Sequence, residues 1–294
     1  MLAFITSLRH PQNSADYARV ELLLEETLRS VTQQTSEDFV VIVVGNREPA
    51  FALGDRVHFV PVDFPPPAPP DGPRTARAPF VRDKGTKIGV GLAAARRFDP
   101  DHVMIFDADD FVHRELAAFV AERPGRPGWV IDRGWMYSRA RNAYRVQNGF
   151  NRTCGTCHIL PFDAYGVPDD LAPTASQEEV VEAFGERLEA MLGAHREAVE
   201  WHAARGRRLE RLPFRGAVYH VDTGENHSGK AMRGVARPLG RRLRRDFAIP
   251  SNRSSLITLW SAVGPGALWE SVSQSAVVNA RRARRVVRRA LLRR

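Results

Sequence analysis

Three aspartates near the middle of the chain have the types and spacing of a metal site. Asp107, Asp109 and Asp110 directly follow the apolar run Val103–Phe106. Carboxylates this close repel one another unless a cation or solvent relieves the repulsion. Carboxylate oxygens are the ligands that hard divalent cations prefer, and such a cation can bridge to the phosphates of a substrate. The alternative is an Asp-rich loop that caps the next helix, because Asp is a good N-cap residue.

Lysine is scarce in this chain and two lysines precede the aspartates. Of 43 basic residues only three are lysines, namely Lys84, Lys87 and Lys230. A lysine ammonium is a compact point charge that suits a phosphate contact, whereas the planar arginine guanidinium suits a bidentate fork. We therefore interpret Lys84 and Lys87 as candidate phosphate ligands, with chance placement as the alternative.

The elements that must position these side chains follow a strand and helix alternation. The apolar runs Leu2–Ile5, Phe39–Val44 and Val103–Phe106 predict buried parallel strands, with helices over Val20–Gln33 and Thr86–Arg97 between them. This order is typical of an α/β domain with right-handed crossovers. The aspartates would then lie at the carboxyl end of a strand, where open α/β sheets bind ligands.

The remaining elements are less regular. Val57–Val60 predicts one more strand, and the proline-rich segment Pro61–Pro79 predicts an extended surface loop. After Asp110 the pattern becomes α+β. It predicts strands at Trp129–Asp132 and Tyr144–Val146 and one ending the segment Leu212–Val221, and helices over Glu178–Leu192 and Arg196–Arg205.

The stretch around the aspartates resembles a known family. DKGTKIGVGLAAARRF followed by HVMIFDADDFV, together with ELLLEETLRSVTQQTSEDFVVIVVGN nearer the amino terminus, resembles the family 2 type of bacterial GT-A glycosyltransferases. The resemblance covers residues 1–115 well and 116–230 in patches. It implies a nucleotide-diphospho-sugar transferase fold, α/β with a Rossmann-like mixed sheet.

The resemblance also implies roles for individual residues. Asp107 would face the nucleotide ribose and the metal, Asp109 would bind the metal, and Lys84 or Lys87 would approach the nucleotide or its diphosphate. The family commonly has an aspartate just after the second strand to contact the base. This chain has Gly-Asn-Arg-Glu there, so base contact would come from Asn46 or Glu48.

A late segment, Gly216–Lys230, is expected to complete the site. By resemblance a histidine after the late strand binds the metal, and His227 or His220 could do so. We favour His227, because it lies in a turn-rich stretch beside Lys230, which we expect on the phosphate side. The alternative is that His220 is a half-buried strand residue and His227 a surface residue.

The family's general base is an acid at the start of a helix, and the sequence departs from that pattern. Gly193, Ala194 and His195 occupy the place of the acidic motif. Histidine can act as a general base near neutral pH. His195 is therefore our candidate, followed by Glu197 and Glu178, although a surface histidine at a helix start is the alternative.

The pair Cys154 and Cys157 could indicate zinc or redox chemistry. With His158 a structural zinc site would still lack one ligand, and no second cysteine pair exists. A loop that lines the acceptor site, with both thiols packed or free, fits better. Two cysteines give no disulfide framework, which favours a reducing compartment.

The positive charge is concentrated at the carboxyl end. The formal net charge is +9, and residues 281–294 contain eight arginines and no acid. Residues 276–294 predict an amphipathic cationic helix, which suits an anionic membrane surface. A frayed tail, or a helix on the protein's own acidic side, is the alternative. No nucleic-acid module accompanies the arginines, so we expect no nucleic-acid partner.

These observations predict three segments and one activity. Residues 1–115 would bind the nucleotide-sugar, 116–236 would bind the acceptor and complete the site, and 237–294 would form a basic helical extension. The predicted enzyme is a glycosyltransferase of the hexosyl or deoxyhexosyl type, dependent on Mn²⁺ or Mg²⁺ and inverting. Its acceptor would be a cell-envelope glycan or a lipid-linked molecule.

The predicted location is the cytoplasm, at the inner face of the plasma membrane. The amino terminus lacks a basic segment before its short apolar run, so we expect no secretory signal. Two other functions stay open. One is a sugar nucleotidyltransferase, although Ser7–Ser14 lacks the glycines of a phosphate loop. The other is a catalytically degenerate scaffold held at a membrane.

Overall fold

The computed structural model describes residues 1–68, 77–225, 229–250 and 255–272. Its strands are β1 Leu2–Ser7, β2 Phe39–Gly45, β3 Val57–Pro61, β4 His102–Ile105, β5 Phe111–Val112, β6 Trp129–Val130, β7 Arg133–Ser138, β8 Ala143–Asn148, β9 His158–Pro161, β10 Glu210–Arg211, β11 Ala217–Val221 and β12 Arg237–Pro238. Its α-helices are α1 Tyr17–Thr32, α2 Ala78–Ala95, α3 Leu116–Ala121, α4 Gln177–Phe184, α5 Ala198–Ala204, α6 Arg241–Phe247 and α7 Ser255–Val263.

The larger sheet has seven strands in the order β10-β6-β9-β4-β1-β2-β3. Strands β1 to β4 are mutually parallel where they pair, whereas β9 runs antiparallel to both β4 and β6. The predicted mixed α/β sheet is therefore confirmed. Every residue of β2 is buried, because helices cover both faces of this sheet.

Helices α1 and α2 lie on opposite faces of the larger sheet. Leu24 and Leu28 of α1 share one hydrophobic core with alternate sheet residues such as Phe4. Ile88 and Leu92 of α2 belong to the second core, on the other face. The alternation of side chains along a strand divides the two cores in this way.

The smaller sheet has the order β12-β8-β7-β11-β5 and follows directly from the larger one. Strand β4 ends at Ile105 in the larger sheet, and β5 begins at Phe111 in the smaller sheet. The three aspartates therefore occupy the short connection between the two sheets. Side chains that follow β4 can meet those that follow β11, because β5 and β11 are paired.

Several predicted boundaries change. The predicted loop Pro61–Pro79 is too long, since α2 begins at Ala78 and Pro79 lies in its first turn, where the missing amide proton costs nothing. The predicted helix Glu178–Leu192 is not continuous, because α4 ends at Phe184 and a separate turn spans Leu188–Leu192.

The proposed segments share elements rather than standing apart. Strands β6, β9 and β10 from residues 116–236 extend the sheet begun by residues 1–115. Strand β12 pairs with β8, and α6 packs Leu243 and Phe247 against Phe111. Residues 237–250 are thus part of the folded body. The predicted basic helix 276–294 lies outside the described residues. Within the described ranges, no helix has both the length and the apolar character needed to cross a membrane.

Candidate functional site

The aspartate connection, α2 and the loop before β9 meet at the carboxyl edge of the larger sheet, where Lys84, Asp107, Gly155 and His195 border a small space that we call the cleft. The ammonium of Lys84 forms an ion pair with the Asp107 carboxylate, and both side chains are partly exposed. The backbone N–H of Gly155 donates to Asp107 Oδ2 at 3.2 Å. The backbone N–H of Asp107 donates to the Thr156 hydroxyl at 3.0 Å. The loop before β9 thus holds the first aspartate together with Lys84.

Gly155 allows this close approach because it has no side chain. A Cβ at Gly155 would lie 2.8 Å from Asp107 Oδ2 and 3.1 Å from Lys84 Nζ. Any other residue would have to displace the ion pair. The sequence predicted that this segment is a loop that lines the acceptor site, but it did not predict the contact with Asp107.

Lys84 and Asp107 both stay charged although their side chains are partly buried. Burial lowers the pKa of Lys84, but the charge and hydrogen bond of Asp107 outweigh it, so the pKa is raised overall. Burial likewise raises the pKa of Asp107, and the charge and hydrogen bond of Lys84 outweigh it, so this pKa is lowered. The cleft therefore presents one fixed cation and one fixed anion.

Asp109 has a different electrostatic position. Its side chain is partly buried, and the Thr223 hydroxyl donates to its Oδ2 at 3.2 Å. Burial and the negative charge of Asp107 raise the pKa of Asp109 to about 7. A carboxyl group in this state binds a proton or a cation readily near neutral pH.

Asp110 is fully buried and acts as a structural connector. It accepts hydrogen bonds from the Cys154 thiol at 2.8 Å, the Thr156 hydroxyl at 2.5 Å and the His220 backbone N–H at 3.0 Å. Burial and the charges of Asp109 and Asp107 raise its pKa well above the ordinary value. It thus joins the loop before β9 to strand β11.

The cysteines do not form a zinc site with each other. Both are buried and free, and the Cys157 sulfur lies 3.2 Å from His158 Nδ1. Among the described residues, potential ligand atoms of Asp107, Asp110 and Cys154 lie within 4.8 Å of one another. Carboxylate oxygens suit a hard divalent cation, but within this group the Asp110 carboxyl and the Cys154 thiol are already hydrogen-bonded to each other.

Lys87 differs from the prediction that it contacts phosphate. Its side chain is completely buried, and its Nζ donates to the Leu8 carbonyl at 3.0 Å and to Asp83 Oδ2 at 3.0 Å. Lys87 lies one helical turn beyond Lys84 and faces the end of β1 rather than the cleft. In this structure its ammonium ties α2 to the sheet.

His195 lies in the cleft, where it was predicted. It lines a small enclosed pocket with Lys84 and Gly155. Burial lowers its pKa to about 4, although the charge of Asp107 opposes that effect. Its Nε2 is buried and has no hydrogen-bond partner among the described residues. Glu197 is exposed at the start of α5 and is not among the residues that line this pocket.

Gly193 explains how His195 reaches the cleft. A Cβ at Gly193 would lie 2.0 Å from the carbonyl oxygen of Val81 in α2. The chain after α4 can approach the helix this closely only through a glycine. His195, two residues later, is thereby held beside Lys84.

Of the two late histidines, His220 and His227, only His220 lies within the described residues. The ring of His220 lies 5.4 Å from the Phe111 ring and 5.1 Å from the Tyr137 ring, measured between centroids. Burial lowers its pKa to about 3. Its ring belongs to this aromatic cluster and hydrogen-bonds the Asp109 backbone, so it lies next to the aspartates, and its metal-binding role stays a prediction. His227 lies outside the described residues.

Lys230 and Glu48 follow different strands, β11 and β2. The Lys230 ammonium lies 5.7 Å from the centre of the Tyr219 ring, and its charge is near enough to lower the pKa of His195. Lys230 is thus on the cleft side. Glu48 is exposed beyond β2, and the Asn46 amide donates to the Phe64 carbonyl at 2.8 Å.

Arg9 and Thr223 are two further residues at this edge that the sequence reasoning missed. Arg9 forms an ion pair with Glu225 at 2.6 Å, which ties the end of β1 to the segment after β11. Thr223 contacts Asp109 as described. The turn-rich sequence after β11 could have indicated Thr223, because hydroxyl residues are frequent in such turns.

Comparisons with known proteins give remote likenesses. No protein-family model matches the chain, and no curated protein matches it. Residues of S. aureus TarS match 75% of this chain at 15% identity with a TM-score of 0.38. TarS 1–349 in complex with UDP matches 75% at 14% identity with a TM-score of 0.39.

The matched chains differ in length from this one. The chain spans 36% of the first TarS chain and 61% of the TarS 1–349 chain. A putative nucleotide-diphospho-sugar transferase from Desulfovibrio desulfuricans G20 matches 77% of this chain, which covers 89% of it, at 11% identity with a TM-score of 0.34. Matches at this identity and TM-score carry no argument about activity, which must come from the residues of the cleft.

Proposed function

We propose that this chain is a metal-dependent glycosyltransferase that uses a nucleotide-diphosphate sugar as donor. One observation carries the proposal. Asp107, Asp109 and Lys84 come together at the carboxyl end of a parallel strand, and His195 lines the same cleft. This edge is where α/β sheets bind nucleotides.

The residues present fit a divalent cation. Asp107 is ionised, and the raised pKa of Asp109 reports negative charge that a cation would relieve. Both offer oxygen ligands, as Mn²⁺ and Mg²⁺ prefer. Asp107 and Asp109 would hold the ion, which when bound neutralises charge on a departing diphosphate.

The cationic side chains would bind the diphosphate. Lys84 is partly exposed and has only Asp107 as its ion-pair partner among the described residues. A diphosphate entering the cleft would share that ammonium through charge-assisted hydrogen bonds. Lys230, on the same side, adds positive charge near His195. The two lysines favour an anionic donor over a neutral one.

His195 is the proposed base for the acceptor hydroxyl. Because burial lowers its pKa to about 4, the imidazole is unprotonated at neutral pH, but it is a weaker base than an ordinary histidine, and the nearby charge of Asp107 acts to raise its basicity. Its buried Nε2 offers a position for the hydroxyl proton. The acceptor remains proposed as a cell-envelope glycan or lipid-linked molecule, with inversion at a hexosyl or deoxyhexosyl carbon.

Nucleotide binding is the first test. Isothermal titration of the full chain with a panel of nucleoside diphosphates, with and without Mn²⁺, should show binding that needs the metal. Asp109→Asn should abolish this metal-dependent binding and keep the fold. Asp55→Asn is the matched control, since Asp55 is exposed before β3 at the opposite edge of the sheet.

The alternatives give different results in the same experiment. Release of pyrophosphate from a nucleoside triphosphate and a sugar phosphate would indicate a nucleotidyltransferase. No binding of any nucleotide, with or without metal, would indicate a scaffold without activity. Metal-independent binding that survives Asp109→Asn would contradict the proposed role of the aspartates.

A further inference from the structure

The carboxyl-terminal part of the described chain carries an exposed apolar patch. Eight of the eleven large apolar side chains that are exposed in the described ranges lie within residues 255–272. Two are tryptophans, Trp260 at 71% and Trp269 at 75% exposure. The apolar patch consists of Leu256, Ile257, Leu259, Trp260, Val263, Leu268, Trp269 and Val272. A concentration of this kind usually marks an interaction surface.

Helix α7 has its faces reversed relative to an ordinary surface helix. Thr258 and Ala262, which are four residues apart, are buried against the body. Leu256 and Trp260, also four residues apart, face solvent. A surface helix normally buries its large apolar residues and exposes its polar ones. Here the small and polar residues make the packing contacts, so the large apolar side chains remain available.

Specific hydrogen bonds hold α7 in this orientation. The Arg141 guanidinium donates to the Ser261 carbonyl at 2.9 and 3.1 Å, and the Asn142 amide donates to the Thr258 hydroxyl at 3.0 Å. The Gly234 N–H donates to a Glu270 carboxylate oxygen at 2.8 Å. Rotating α7 to bury Trp260 would break the bonds to Ser261 and Thr258. The apolar patch is therefore a fixed part of the surface.

We propose that the apolar patch docks on an anionic lipid surface. Tryptophans suit the membrane interface because the ring is apolar and the indole N–H stays hydrated. The sequence that follows the patch contains eight arginines and no acid in residues 281–294. Apolar side chains with interfacial tryptophans beside a cationic segment are the combination that binds anionic bilayers from one side.

A second copy of this chain fits the patch less well. A symmetric dimer through the patch would associate two chains that each carry a formal net charge of +9, with eight arginines in the sequence 281–294 that follows the patch. Like charges at close range oppose such an association. A lipid surface of opposite charge satisfies both the apolar patch and the arginines.

Vesicle flotation of the full chain tests this proposal. Vesicles that contain phosphatidylglycerol should bind the protein, and vesicles of phosphatidylcholine alone should bind it less. The double variant Trp260→Ser with Trp269→Ser should bind about tenfold or more weakly, because membrane affinity scales with the apolar area inserted. Leu22→Ser, which removes an exposed leucine of α1, is the matched control and should leave binding unchanged.

Tryptophan fluorescence provides a second measurement on the same proteins. Brominated lipids should quench the wild-type protein and quench the double variant much less. Equal binding and equal quenching in both would overturn the proposal. So would a dimer that the double variant converts to monomer without any vesicle binding, since the patch would then be a contact between copies.

The result is independent of catalysis. Asp109→Asn should bind vesicles as well as the wild type, because Asp109 lies in the cleft and outside the apolar patch. Loss of nucleotide binding with retained vesicle binding would support both assignments, the cleft for the nucleotide and the apolar patch for the lipid. Vesicle binding that disappears in Asp109→Asn would show that the lipid attaches at the cleft, and would overturn the role given to the patch.

Discussion

Two lysines of helix α2 form ion pairs with aspartates in opposite surroundings, Lys84 with Asp107 after β4 and Lys87 with Asp83 on the helix itself. The side chains of Lys84 and Asp107 are 26% and 30% exposed, whereas those of Lys87 and Asp83 are 0% and 9% exposed. The first pair is partly open to solvent, and the second lies under the end of β1. Residues three apart on a helix therefore have different environments, and we expect Lys84 to matter for binding and Lys87 for holding the helix to the sheet.

The largest expected effect is on the buried pair. Lys87→Met should lower the free energy of unfolding by about 3–5 kcal/mol, because it leaves the Asp83 carboxyl buried without its partner. Urea denaturation at constant pH measures this. The protein that remains folded should bind nucleoside diphosphate with unchanged affinity. A loss of stability below about 1 kcal/mol would show that the pair does not hold α2.

For the partly exposed pair, Lys84 and Asp107, we expect a large change in ligand binding and a small change in stability. Lys84→Met should weaken Mn²⁺-dependent binding of a nucleoside diphosphate by about 10–100-fold, since one charge-assisted hydrogen bond is lost. Isothermal titration gives this value. Its free energy of unfolding should change by less than about 1 kcal/mol, because the pair is partly solvated. An unchanged affinity would remove Lys84 from the proposed phosphate site.

A smaller effect on stability is expected at Asp109, which, unlike Asp107 and Asp83, has no lysine as an ion-pair partner among the described residues. Its pKa is about 7 in the folded protein, against an ordinary value of 3.8. Between these values the folded state keeps a proton that the unfolded state has lost, so the stability of the metal-free protein falls as pH rises. Asp109→Asn should remove this fall and be on the order of 1–2 kcal/mol more stable at pH 8.

Urea denaturation from pH 4 to pH 8 in a chelator would check this behaviour. Adding Mn²⁺ should stabilise the wild type and have little effect on Asp109→Asn. Parallel stability profiles for the two proteins in the chelator would contradict the raised pKa of Asp109.

The smallest expected effect comes from removing the whole buried pair. Lys87→Met combined with Asp83→Leu should recover stability to within about 1–2 kcal/mol of the wild type, since neither charge is then left buried alone. Denaturation of the double variant beside both single variants completes the cycle. A double variant as unstable as Lys87→Met alone would show that the hydrogen bond from Lys87 to Leu8 matters more than the charge pair.

The first half of the fold was predictable from the sequence because its strands are buried on both faces. Phe39–Val44 was predicted and Phe39–Gly45 is found, since a continuous apolar run admits few other structures. Strand β9, His158–Pro161, was missed. It has only two central apolar residues, and its place between β4 and β6 depends on partners distant in sequence.

The site was predictable where position along the chain was sufficient. Asp107 and Asp109 follow a strand, and Lys84 forms an ion pair with Asp107, while its expected role at the diphosphate stays a prediction. The sequence could not show which way Lys87 faces, because both lysines lie on one helix with apolar neighbours. Nor could it show that His220 packs among aromatic rings, since every residue of β11 is buried and the strand has no polar face.

Strand β9 and the loop before it come well after Lys84 and Asp107 in the chain, and this position affects when the site can form. Gly155 contacts Asp107 from 48 positions away, and His195 arrives another 40 residues later. Contacts of such long range close late, because the loop entropy must be lost before the contact is gained. During synthesis from the amino terminus, Lys84 and Asp107 would emerge first and wait for their remaining partners. Nucleotide affinity would therefore be acquired near the end of folding rather than with the first sheet strands.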